Sequence, residues 1–118
     1  MQEFFTKEAN STPQKLPLKL KTGEATEHYI MLIGTESDEF RLAQSKALRE
    51  GAIKATAGEY DDKTAKDLDL NLVASLIDSW SFEQDCTQEN KVKFLDNAPY
   101  IRDAINSFSA EQDNFLKK

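Results

Sequence analysis

Leu18 and Leu20 alternate with Lys19 and Lys21. After Thr22-Gly23-Glu24, Tyr29, Met31 and Ile33 fall on one side of a second extended run. This period of two, broken by a glycine turn, predicts a β-hairpin over residues 17–33. Ile30 and Leu32 make the second strand apolar on both faces, so it is expected to be the more buried. Lys19 and Lys21 guard the first as an edge. Residues 1–16 turn polar through Asn10-Ser11-Thr12-Pro13 and read as a flexible lead, in which Phe4 and Phe5 either dock late or contact a partner.

Beyond Gly34 the period changes to that of helices. Phe40, Ala43, Ala47, Gly51 and Ala55 form a stripe of mostly small side chains, predicting a helix over 38–57 that starts at Ser37 or Thr35 and closes at Gly58. Gly51 inside it implies either close packing or a bend. Leu68, Leu72, Val73, Leu76, Ile77 and Trp80 cover a broad arc, with Leu70 at its margin. They predict a central helix over 61–80, started by Asp61 or Asp62. Asp69 lies within that arc, where it requires either exposure or a positive partner. Thr87 and Asn97 are expected caps for helices over 88–96 and 98–116, with Pro99 in the first turn of the second. Ile101, Ala104, Ile105, Phe108, Phe115 and Leu116 would form the stripe of that last helix, and Lys117 and Lys118 would suit its negative end. The fold class is therefore α+β: an N-terminal two-stranded β-hairpin followed by a predominantly helical domain of about four helices. Residues 17–118 form one small domain.

Composition narrows the chemistry. With 118 residues the chain suits one core, and the net charge of −6 argues against nucleic acid or an anionic membrane surface as partner. No apolar run reaches the length of a membrane span. The single cysteine, Cys86, excludes an internal disulfide and a thiolate zinc cluster and favours a reducing compartment. His28, the only histidine, falls on a strand face expected to meet solvent, and acidic neighbours of Cys86 disfavour its thiolate. The four glycines build no phosphate loop, and the acids lack calcium-loop spacing. No catalytic residue, cofactor site or metal site is assigned.

The charge is uneven: residues 59–85 carry eight acids and two lysines, which accounts for the whole imbalance. Asp61, Asp62, Asp67 and Asp69 thus mark either a docking face for a basic partner or a solvated helix flank. Trp80 and Phe82 read as a packed anchor at a helix end or as a protein contact.

The string WSFE at Trp80–Glu83, TQENKVKFLDNAPYIRDAI at Thr87–Ile105 and QDNFL at Gln112–Leu116 resembles the tail assembly chaperones of long-tailed bacteriophages. Trp80, Thr87, Glu89, Asn90, Leu95, Pro99, Ile101, Ile105, Asn114 and Phe115 match the pattern. The connector Phe82–Cys86 departs from it, being poorer in glycine. The resemblance implies a noncatalytic factor of the host cytoplasm, absent from the finished virion and without cofactor. Such a factor binds and solubilises the tape measure protein and helps recruit tail tube subunits. Self-association is a further expectation, since repeated weak contacts along one partner gain from tethering. The alternative is a permanent structural or connector component of the tail.

Overall fold

The computed structural model describes residues Met1–Leu116 and has an N-terminal β-hairpin followed by a mostly helical region. Strand β1 (Gln14–Lys19) pairs antiparallel with β2 (Ala25–Leu32), placing Leu16 opposite Ile30 and Pro17 opposite Tyr29. Gly23, at φ 95°, takes the left-handed turn between them. Leu20 lies past the end of β1 and is exposed. The helices are α1 (Lys7–Ser11), α2 (Asp38–Thr56), α3 (Asp62–Ala74), α4 (Gln88–Asn97) and α5 (Pro99–Ala110).

The expected central helix over 61–80 is divided. α3 stops at Ala74, and Ile77–Trp80 forms a third strand, β3, antiparallel to β2 with Ile30 opposite Trp80. The cause is local competition: Ser75 Oγ donates to the Leu72 carbonyl, while the Leu76 carbonyl accepts the Ile33 N–H at 2.9 Å. β2 is thereby the middle strand of three, which accounts for its apolar residues on both faces. Ile30 and Leu32 are its core face, whereas Tyr29 and Met31 are half-buried on the other. The Lys91 ammonium donates to the Ile77 carbonyl at 2.7 Å, occupying part of the edge that β3 would otherwise present.

The core joins Ile30 and Leu32 to Val73, Ala74, Leu76 and Ile77, and to Leu95, Ile101 and Ile105. Leu70, expected at the margin of its helix, is buried, while Leu68 and Leu72 turn toward α2 and are half-buried. α5 buries Ile101, Ile105 and Ser109 but exposes Ala104, and it ends at Ala110 instead of continuing to 116. A 3-10 turn, Gln112–Asn114, then brings Phe115 back against Phe108 at 5.8 Å between ring centroids. Lys117 and Lys118 lie outside the described residues. Ala98, not Asn97, occupies the cap position of α5; Asn97 Nδ2 donates to the Lys93 carbonyl inside α4.

The expected lead over 1–16 is structured. Gln2–Phe4 is a 3-10 turn, α1 follows, and β1 begins at Gln14. Asn10 is fully buried, which its polar surroundings in the sequence do not announce.

Candidate functional site

α2 is the exposed element. Ser37 caps it through its Oγ, which accepts the Phe40 N–H. Of the helix's 19 residues only Phe40, in the first turn, is buried. Ala43, Ala47 and Gly51 rest half-buried along α3, while Leu42, Leu48 and Ile53 remain 71%, 76% and 62% exposed. A helix carrying three such leucine-type side chains in water has apolar surface that its own chain does not cover. The radius of gyration, 15.3 Å, exceeds the roughly 13.5 Å of a compact chain of this length.

Between α2 and α3 runs an open groove of about 800 Å³, walled by Leu48, Gly51, Ala52, Tyr60, Leu68 and Leu72. Small side chains on α2 form its floor, and this is the use the structure makes of the small-residue stripe. Asp69 closes one flank. Its Oδ2 accepts the Arg102 Nε–H at 2.8 Å and a second bond from the same guanidinium, whose other arm reaches Asp103 Oδ1 at 2.8 Å. These carboxylates hold the Arg102 pKa above its ordinary value, Asp69 contributing most. Asp69 therefore has the positive partner its position demanded.

The remaining acids singled out in the sequence do not converge. Asp61 caps α3, accepting the Thr64 N–H at 2.8 Å, and that bond holds its carboxyl below the usual aspartate range. Asp62 occupies the first turn beside the helix's positive end, and Asp67 faces solvent. Among the described residues no three His, Cys, Asp or Glu side chains gather as a metal site would require, and no helix is long and apolar enough to cross a membrane.

A second concavity lies beside β3, between the loop that follows it and α4. Trp80 is half-buried on β3 rather than at a helix end, and its indole N–H donates to the Gln84 carbonyl at 2.8 Å. Phe82 and Phe94 both meet it edge-on, with centroids 5.2 and 5.9 Å from its own, and lie tilted against each other at 5.0 Å. The three rings, with Asn90, Lys93 and Asn97, wall a cleft of about 400 Å³. Sequence reading missed Phe94 here; its place at the end of the KVKF run, Lys91–Phe94, gave no sign of pairing with Trp80. His28 is exposed and lies against Phe82 at 5.0 Å, with Nδ1 3.1 Å from Ser81 Oγ. Cys86 is partly buried, and loss of solvation raises its thiol pKa despite the opposing influence of Lys91.

Phe4 and Phe5 are exposed, whereas Phe115 is buried and serves the core. The site residues thus separate into a groove (with Asp69), an aromatic cleft (Trp80, Phe82), a helix start (Asp61, Asp62) and an exposed aromatic pair. No protein-family model, curated protein or solved structure matches this chain.

Proposed function

We propose that this chain is a noncatalytic assembly chaperone that binds an apolar helical segment of a phage tape measure protein along the α2–α3 groove. It would keep that segment soluble in the host cytoplasm and help bring tail tube subunits to it. The observation that carries the reading is the open groove beside Leu48, on a helix whose one buried side chain is Phe40. A groove of this form suits the apolar face of an amphipathic helix, recognised at positions three and four residues apart. The resemblance of Trp80–Leu116 to tail assembly chaperones supplies the partner's identity. The acidic stretch 59–85 would keep the loaded complex dispersed by like-charge repulsion.

Co-expression with the tape measure protein tests this. Soluble tape measure protein should rise, and Leu48→Asp with Tyr60→Asp, both exposed on the groove wall, should abolish the gain while the chaperone itself stays folded by circular dichroism. Unchanged solubility together with no association in pull-down would overturn the proposal. Stoichiometric incorporation of the chain into purified mature tails would identify a permanent tail component instead.

A further inference from the structure

The net charge of −6 conceals a polarised molecule. Residues 40–57, the body of α2 and its exit, carry Arg41, Lys46, Arg49 and Lys54 against Glu50 alone. Leu42, Lys46, Arg49 and Ile53 recur at intervals of four, three and four, so they share one seam within about 60° of the helix surface. On the helix this seam lies roughly opposite the small-residue stripe of α2 that rests along α3, with Lys46 and Ile53 also bordering open hollows beside α3. It reads apolar, basic, basic, apolar, with its apolar ends about 16 Å apart. Arg49 joins no ion pair among the described residues, and Lys46 has only an exposed contact of 3.9 Å with Glu50.

The aromatic cleft has the opposite character. Glu83 and Asp85 are exposed on the loop that carries Phe82 and Gln84 along its wall, and the Asp85 carbonyl accepts a bond from Asn90, another wall residue. Asp78 and Glu89 are exposed on either side in sequence, so residues 78–89 hold four acids and no base. Against them stand Lys93 on the rim and Lys91, whose ammonium is engaged by the Ile77 carbonyl.

We propose that the α2 seam of one copy docks on the acid-flanked aromatic cleft of a second copy. Leu42 or Ile53 enters beside Trp80, Phe82 and Phe94, while Lys46 and Arg49 face Glu83 and Asp85. Charge and apolarity select this pairing over a two-fold contact between α2 seams, which would set Lys46 and Arg49 against their own copies. Because the two surfaces differ, each docked pair leaves one seam and one cleft unused. The contact is head-to-tail and builds a ring or an open chain. It is independent of what occupies the α2–α3 groove.

The test uses the full chain and two charge-reversed variants, Lys46→Glu/Arg49→Glu and Glu83→Lys/Asp85→Lys, all checked for folding by circular dichroism. Sedimentation of the unaltered chain should show mass rising with concentration from about 1 to about 500 µM and returning to that of one copy in about 0.5 M salt. Each variant alone should stay monomeric, because its seam and cleft then carry like charge. An equimolar mixture should assemble again, with a shift in the Trp80 emission that neither variant shows alone. An unaltered chain that is monomeric throughout, or a mixture that fails to assemble, would overturn the proposal. So would assembly of the cleft variant by itself, which would mean that copies meet without the cleft.

Discussion

Asn10 occupies the space that a side chain on Gly34 would need: a Cβ at Gly34 would fall 1.9 Å from Asn10 Oδ1. The backbones are joined as well, the Gly34 N–H donating to the Asn10 carbonyl at 2.8 Å. Asn10 Nδ2 donates to the Thr6 carbonyl and to Gln112 Oε1, both at 2.8 Å, and Oδ1 accepts the Glu36 N–H at 3.2 Å. One buried amide thus fastens the first helix, the exit of β2 and the C-terminal turn.

Gly34→Ala should therefore cost roughly 2 to 3 kcal/mol, since the methyl group must expel an amide whose bonds cannot be remade in place. Asn10→Ala should cost about 1 to 3 kcal/mol by leaving the Glu36 N–H without its acceptor. The double variant should lose less than the sum, because removing the amide makes room for the methyl. Urea denaturation of the four proteins measures the coupling; strict additivity would contradict the geometry.

Gly51→Ala should act in the opposite direction. Its Cβ would lie 3.5 Å from the Tyr60 ring and 3.6 Å from Leu68 Cδ1, ordinary contact distances. The expected gain is about 0.5 to 1 kcal/mol from helix propensity, read as a higher thermal midpoint.

Asp69→Asn should destabilise by about 0.5 to 1 kcal/mol, a modest figure because the pair is partly exposed and screened by solvent. Molar salt should shrink the difference between variant and parent in parallel denaturation curves.

The cap at Asp61 makes a pH prediction. Its folded pKa lies below the unfolded one, so its contribution is complete above the unfolded value, near roughly pH 4, and is lost as pH falls through the lower folded value. Thermal scans between about pH 2 and pH 6 should show a shallower acid limb for Asp61→Ala than for the parent.

Cys86 should react slowly with a thiol reagent in the native protein, since burial raises its pKa and limits access. Denaturation should speed the reaction at pH 8 by roughly ten-fold or more.

How much of this was legible varies with the type of signal. The hairpin and the starts of α2, α3 and α4 were readable because alternation and capping oxygens act locally: Ser37, Asp61 and Thr87 each accept the N–H three residues on. β3 was not. Leu72, Val73, Leu76, Ile77 and Trp80 satisfy a helical period, and only pairing with β2, about fifty residues away, makes the last four residues of that run extended. Helical spacing also placed Ala104 inward and Leu70 at the margin, whereas the packing of the helices exposes the first and buries the second. The groove was foreshadowed by the small residues Ala47 and Gly51. The cleft was half visible in Trp80 and Phe82, and Phe94 joins them through tertiary packing alone.

The bond between Asn10 and Gln112 spans 102 positions, and this sets an order on synthesis. A ribosome adding about 5 to 20 residues per second delivers the second of these partners some 5 to 20 s after the first. Throughout that interval the Asn10 amide can reach the Thr6 carbonyl and, once it is made, the Glu36 N–H, but not the Gln112 oxygen that ties this segment to the C-terminal turn. The segment around α1 thus completes its docking only after the C-terminal turn is made, and a helper that engages nascent chains would meet it with this tie unformed.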